Sequence, residues 1–328
     1  MKAAWYTQNG EAQDVIQVGN LPMPSPQAGE VLVRLATSGV NPSDVKSRRA
    51  RPLTDPLVVP HSDGAGVIEA VGEGVQASRV GQRVWVWNGQ WQRPMGTCAQ
   101  YITLPQAQAV ALPEGTDFAA GACMGIPGLT AVQAVILAER LTGDLRGQTV
   151  LVSGASSAVG HYITQMVCLA GGRVIGTVGS EAKAAHAQAA GMEAAVYYKT
   201  ESVPERVRAL TQGRGAEILI DMDFSTTARW AAEGALAPHG QVVCYGSNAL
   251  DVNLPFRPWL FQSMGVKFFL VYDLTSADRK IAVSRLSDLL ANHQLQHSIA
   301  ARFSLDQVAQ AHQMVEAGQT VGNVVVDL

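Results

Sequence analysis

The segment Thr149-Val-Leu-Val-Ser-Gly-Ala-Ser-Ser-Ala-Val-Gly160, continued by residues 161–171 and then Arg173-Val-Ile-Gly-Thr-Val178, constrains this chain more than any other. It reads as strand, turn of small residues, helix and strand. Small residues at such a turn let a backbone approach a pyrophosphate, and the N-terminus of the helix that follows offers free N–H groups and a positive dipole end to the phosphates. A dinucleotide is expected here. Aligned on its last residue, the G-x-G-x-x-G pattern meets Ala155 and Ser157 in place of its first two glycines, and only Gly160 matches. Alone, so degenerate a fingerprint leaves open a helix and strand packed closely without a ligand. The following sequence narrows the choice. Runs 193–198, 216–221 and 240–246 are short, apolar and bounded by turn residues, with helical patterns over 181–190 and 203–211 between them. Strands alternating with helices are what a parallel sheet requires.

About 150 residues precede the turn, enough for a second domain able to carry substrate, and that arrangement points to an oxidoreductase. At 328 residues the chain is long enough for two cores, and 47% hydrophobic with 16% charged residues describes a soluble globular enzyme. A net charge of −3 gives no case for nucleic-acid or anionic-membrane binding by bulk electrostatics. Cys98, Cys123, Cys168 and Cys244 show no paired spacing, which favours free thiols in a reducing compartment. The N-terminus lacks the apolar core of a signal peptide, and no run of ~18 apolar residues occurs, so a cytoplasmic protein is expected.

Ahead of the turn, short strands at 31–35, 66–70, 83–87 and 99–103 alternate with Gly/Pro turns and predict a compact β-barrel or sandwich. Residues 113–127 and a helix over 130–138 form the expected crossing between domains. Five motifs then come in order: Ser38-Gly-Val-Asn-Pro-Ser-Asp44, Pro60-His-Ser-Asp-Gly-Ala-Gly-Val-Ile-Glu-Ala-Val-Gly72, Gly81-Gln-Arg-Val84, Gly125-Ile-Pro-Gly-Leu-Thr-Ala131 and Val152-Ser-Gly-Ala-Ser-Ser-Ala-Val-Gly160. Through them the whole chain resembles the medium-chain dehydrogenases/reductases, and within these the zinc-free, zeta-crystallin-like quinone oxidoreductases. The resemblance implies an α/β fold, with a Rossmann doubly wound parallel sheet over 124–293. A GroES-like β-barrel catalytic domain is implied over 1–123 and 294–328.

Zinc-dependent relatives in that superfamily place a cysteine and a histidine near Asn41 and on Ser62, and neither residue replaces a thiolate or imidazole in a tetrahedral site. The cysteine-rich loop of a structural zinc is also missing, since 88–98 holds one cysteine. His61, one residue off the ligand position, reads as a turn residue or hydrogen-bond donor. No metal is expected.

NAD sites place an acid about 20 residues beyond the glycine turn, at the end of the second strand, to accept from the ribose 2′-hydroxyl. Here that end is Thr177-Val-Gly179-Ser180 with no carboxylate before Glu181, which reads as a first-turn helix acid. The resemblance implies that Lys183, Tyr198 and Lys199 surround the 2′-phosphate of NADPH, although a solvated lysine on a helix is an ordinary alternative for Lys183. It implies further cofactor contacts at Thr130; at Ser156, Ser157, Ala158 and Val159; at Tyr245, Gly246, Ser247 and Asn248; at Leu270, Val271 and Tyr272; and at Asn323. Ser157 either crowds the pyrophosphate or gives it a hydroxyl.

By the same resemblance Asn41 and Asp44 face the nicotinamide pocket. Lys46 stands where relatives carry a tyrosine, and reads equally as a catalytic donor or as an exposed lysine in the basic run 46–51. Trp85, Trp87, Trp91 and Arg93 form an aromatic stretch in which strand alternation puts one of the first two tryptophans in the core, ahead of a stacking surface for substrate. Three functions remain: an NADPH-dependent quinone oxidoreductase, an NADPH-dependent alkenal or enone reductase, and a cofactor-binding protein with little turnover. Finally, 266–272 is β-branched, aromatic and nearly all apolar, and is expected to pair with its copy as the edge strand of a homodimer.

Overall fold

Six strands between residues 149 and 268 form one all-parallel sheet in a computed structural model of the chain, which describes residues 1–318 and 320–328. The strand order is Ala194–Tyr197, Arg173–Val178, Thr149–Val152, Ala216–Asp221, Leu236–Cys244, Gly265–Phe268. This is the doubly wound dinucleotide-binding order, which reverses between the third and fourth strands so that a crevice opens at their C-terminal ends. Every residue of Thr149–Val152 is buried, as a central strand covered by helices on both faces demands. Gly265–Phe268 lies at the sheet edge and is largely exposed.

The helix after the turn runs Ala158–Leu169, starting three residues earlier than the sequence pattern suggested because Ser157 caps it. It packs Tyr162, Ile163, Met166 and Val167 inward, and Gly171 ends the connection in the left-handed region at φ +81°. The expected edge strand 266–272 is shorter. Phe269 N–H donates to the Cys244 carbonyl as the last ladder bond, and Val271–Asp273 then forms a tight turn closed by Asp273 N–H on the Leu270 carbonyl.

Residues 1–128 and 286–328 form a second unit, and 129–285 form the first-described one. The boundaries fall after Gly128 and Arg285 rather than after 123 and 293. Residues 124–128 are a single wide helical turn laid against Asp63–Val71 and Arg83–Val86, so tightly that a Cβ on Gly125 would strike the Asp63 carboxylate. The later boundary lies within the helix Ser276–Ala291.

In the second unit Glu30–Val40 is the hub of a seven-stranded sheet, pairing with Asn323–Asp327, Asp63–Val71 and Tyr101–Pro105. Its alternation divides two cores. Val31, Val33 and Leu35 join Ile68, Val84, Val86, Ile102 and Leu104, whereas Val40 joins Ala3, Val59, Val308 and Val324. Trp85 is fully buried, while Trp87 is half-buried and donates Nε1–H to the Ala107 carbonyl at 3.2 Å.

Candidate functional site

The turn after Thr149–Val152 is built from the sheet outward. Ser153 Oγ donates to Asp221 Oδ1 at 2.7 Å and accepts from Met222 N–H at 2.8 Å, tying the turn to the neighbouring strand across the crevice. Gly154, not the aligned Ala155, takes the left-handed conformation (φ +66°), and its N–H donates to Thr177 Oγ1 at 2.9 Å. Any side chain on Gly160 would enter the Gly154 peptide, so glycine is required where helix and turn meet. Ser157 Oγ accepts from Gly160 N–H at 2.9 Å. The hydroxyl oxygen thus serves the helix, and its proton remains available to an anion. The first-turn amides of Ala158 and Val159 have no helical partner, as at every helix start.

At the far end of the next strand, Gly179, Tyr198 and Lys199 come together: a Cβ on Gly179 would lie 3.1 Å from the Tyr198 hydroxyl and 3.5 Å from Lys199 Cε. Ser180 caps the helix Glu181–Ala189 by accepting from Lys183 N–H at 3.4 Å, which puts Lys183 one turn from the cluster. Glu181 is the first helical residue, where an acid complements the dipole.

Asp223 organises the loop after Leu236–Cys244. Its carboxylate accepts from Asn248 N–H at 2.9 Å and Nδ2–H at 3.0 Å. Burial raises its pKa, and these bonds together with those from Ser225 and Thr226 outweigh that effect and leave it below the usual range. Burial pushes Asp221 the other way, against bonds from Thr227, Asp223 and Ser153. Gly246 approaches the Met222 carbonyl so closely that a Cβ would displace it by contact at 2.5 Å. The Tyr245 phenol is buried with no hydrogen-bond partner among the described residues and is held protonated by burial and by the nearby Asp221. The Val271 carbonyl accepts from Arg279 Nη2–H at 2.5 Å, and this fixes the turn that carries Leu270 and Tyr272. Thr130 is buried on the helix Leu129–Thr142. Asn323 lies in the other unit, donating Nδ2–H to the Ser298 carbonyl at 3.0 Å.

In that unit Asn41 joins two buried carboxylates. Its backbone N–H donates to Asp44 Oδ2 at 2.8 Å and its Nδ2–H to Asp63 Oδ2 at 2.9 Å. Burial lifts Asp44 to about 7 and Asp63 well above the ordinary range. Asp44 is therefore not wholly charged near neutrality. The helix Pro42–Ala50 buries Asp44, Val45, Ser47 and Arg48 and leaves Lys46 exposed. Sequence reasoning passed over Asp63, which sits inside a quoted motif and gave no signal of burial.

These residues do not fit a zinc ion. The Asn41 amide is committed to Asp63, the Ser62 carbonyl accepts from Gly89 N–H, and both ring nitrogens of His61 are engaged, by Ser38 at 2.9 Å and by His312 at 2.9 Å. Among the described residues no three His, Cys, Asp or Glu side chains gather as a metal would require.

A cleft of about 440 Å³ is bordered by Tyr6, Arg51, Trp91 and Arg93, and its Tyr6 wall lies within the field of Asp44. Arg51 was legible only as part of a basic run and Tyr6 only as an N-terminal aromatic.

Fold and site together define a two-domain dinucleotide-dependent oxidoreductase scaffold. Residues 27–114 match the alcohol dehydrogenase GroES-like domain and 158–288 the zinc-binding dehydrogenase domain. The chain is 31% identical over 271 residues to a quinone oxidoreductase of Pseudomonas aeruginosa, covering 81% of this chain and 80% of that one. It is 28% identical over 314 residues to a 2-haloacrylate reductase of a Burkholderia species, covering 92% of each. A mycobacterial protein solved in complex with NADPH superposes over 100% of both chains with a TM-score of 0.86 and 27% identity. The chain belongs to the zeta-crystallin-like quinone oxidoreductase family of medium-chain dehydrogenases/reductases. No helix among the described residues is long and apolar enough to cross a membrane.

Proposed function

We propose that the chain is an NADPH-dependent quinone oxidoreductase that works without a metal. The observation that carries this reading is the carboxylate-free end of Arg173–Val178, where Gly179 faces Tyr198 and Lys199 with Lys183 one turn away. Such a pocket suits a 2′-phosphate, which an acid at the strand end would repel. The mycobacterial NADPH complex, similar over its full length, supports the same choice.

When bound, NADPH supplies a hydride. Quinone, hydride and one proton make the hydroquinone, so the protein's task is to hold cofactor and acceptor and to deliver that proton. Ser156, Ser157, Ala158 and Val159 would hold the pyrophosphate. Thr130, the loop 245–248, the turn 270–272 and Asn323 would flank the rest of the cofactor. Asn41 orients Asp44 and Asp63, and Asp44, poised to about 7, can hold a proton within the field of Tyr6, which lines the cleft. We assign no chemical role to Lys46, which points to solvent.

A second reading, reduction of an activated C=C bond, is favoured by the similarity to the 2-haloacrylate reductase. Following NADPH oxidation against a panel of quinones and a panel of α,β-unsaturated carbonyl compounds separates the two. Turnover of neither, with NADPH still bound, would leave a cofactor-binding protein.

The reading includes a cytoplasmic homodimer. All four cysteines are free, which suits a reducing compartment, and the edge strand Gly265–Phe268 exposes Val266 and Phe268 for pairing with a copy.

A further inference from the structure

The cleft bordered by Tyr6, Arg51, Trp91 and Arg93 carries unusual charge. Arg93 is fixed entirely by neutral acceptors: the carbonyls of Gly89 at 2.5 Å, Asn88 at 3.3 Å and Thr103 at 3.4 Å, and Gln108 Oε1 at 3.2 Å. Burial lowers its pKa and the field of Glu30 partly restores it. Arg51 lies over the Trp91 ring with its guanidinium carbon 5.5 Å from the centroid. Among the described residues neither arginine has a carboxylate within ion-pair distance. One carboxylate, Asp55, lines the cleft, and it accepts from Thr54 Oγ1 at 2.9 Å. Tyr6, on the inner wall, is pushed to about 12 by burial and then by Asp44, and so stays a hydrogen-bond donor throughout the neutral range.

We propose that this cleft seats the hydride acceptor and selects a planar, conjugated molecule bearing a carboxylate, which Arg51 recognises. The inference rests on the reductase reading and adds the charge of the acceptor, whether the reducible group is a quinone or a C=C bond. A guanidinium over an indole keeps its charge and its N–H fork, because the ring neutralises neither. A carboxylate matches that fork with two parallel hydrogen bonds. A neutral acceptor covering the same arginine would strip water from an unpaired charge and return nothing, so the cleft penalises it. The volume suits a single-ring ligand, and Trp91 offers a flat face.

The test is equilibrium binding to the NADPH-loaded protein of benzoate and of its neutral isostere benzamide, by calorimetry or quenching of NADPH fluorescence. Benzoate should bind roughly ten-fold or more tighter. Arg51→Gln should remove that preference, Arg51→Lys should keep part of it, and Arg51→Glu should invert it. Equal affinities in the parent protein, or a benzoate affinity unmoved by Arg51→Gln, would overturn the carboxylate site even if neutral quinones are turned over. A clear benzoate preference with no oxidation of NADPH by any acceptor, carboxylated or neutral, would instead overturn the reductase reading and with it the assignment of the ligand as a hydride acceptor.

Discussion

His312 Nε2–H donates to His61 Nε2 across 2.9 Å, with the two rings stacked at 5.0 Å in the buried interior of the sheet unit. Neighbouring bonds set the direction. The Thr97 hydroxyl donates to the Asp63 carbonyl at 2.5 Å, so Ser38 gives its proton to Thr97 at 2.8 Å or to the same carbonyl at 3.4 Å, and in either case is left to accept from His61 Nδ1–H across 2.9 Å. His61 Nε2 is left as an acceptor. His312 Nδ1 then carries a lone pair with no hydrogen-bond partner among the described residues, within the field of the buried Arg48. His61 adopts φ +75° to make this chain, a conformation that disfavours a side chain.

Acid sensitivity follows from that pair. Burial depresses His61 to about 3 and His312 well below its ordinary value, the latter further lowered by His61 and Arg48. Below about 6.5 the unfolded chain binds protons that the folded pair refuses, so the pair's contribution is complete above that pH and is lost as pH falls toward 3. Asp44 and Asp63 act with the opposite sign, because their raised values weaken folding as pH rises above about 4. His61→Gly isolates the histidine part. It relieves the backbone strain but leaves a cavity and an unpartnered His312, and should cost about 2–4 kcal/mol at pH 7. On going from pH 5 to pH 7 the urea midpoint should rise less, or fall more, in this variant than in the parent, because the carboxylate effect is common to both and the His61 effect is gone. An equal pH response in both would count against the assigned protonation.

Cofactor preference should be strong and local. Lys183→Ala should weaken NADPH roughly ten-fold while hardly changing NADH, because one cation beside a 2′-phosphate is removed. Titration of NADPH fluorescence measures both. Equal affinities for the two cofactors in the parent would contradict the pocket formed by Gly179, Tyr198 and Lys199.

The pyrophosphate turn separates two substitutions that look alike in sequence. Ser157→Ala removes the hydroxyl that caps Ala158–Leu169 and should cost about 1 kcal/mol of stability, whereas Ser157→Gly should cost only a few tenths. Gly160→Ala drives a methyl into the Gly154 peptide and should abolish NADPH binding or folding. A Gly160→Ala protein as stable and as tightly NADPH-binding as the parent would show that the turn relaxes where its geometry leaves no room.

What the sequence discloses of this architecture is its local periodicity. Thr149–Val152, Arg173–Val178 and Ala216–Asp221 are legible because central parallel strands are continuous apolar runs between turns. The left-handed turn residue is Gly154 rather than the aligned Ala155, and its N–H is held by Thr177, a residue more than twenty places away in another strand. The same holds for chemistry. Asn41 and Asp44 are legible from a motif, but the poise of Asp44 depends on burial, opposed by the bonds from Asn41 and the field of Arg51, and Arg51 acquires meaning only from Trp91 across the cleft. Interactions between distant segments leave no periodic trace.

The edge Gly265–Phe268 should be the seam of a homodimer. Val266 is 37% and Phe268 55% exposed, and Phe256, Leu260 and Phe261 add apolar surface on the preceding helix. Lys267 alone interrupts the strand, which is thin protection for an unpaired edge. Pairing two copies about a two-fold axis satisfies the open N–H and C=O groups and covers these side chains together. Phe268 also packs edge-on against Phe224 at 5.1 Å, so Phe268→Asp tests packing and pairing at once. Val266→Asp, with its side chain on the same exposed strand, serves as the second variant. Sedimentation at micromolar concentration should find a dimer in the parent and a monomer in both variants, with NADPH still bound. A parent that sediments as a soluble, active monomer would remove the case for this seam.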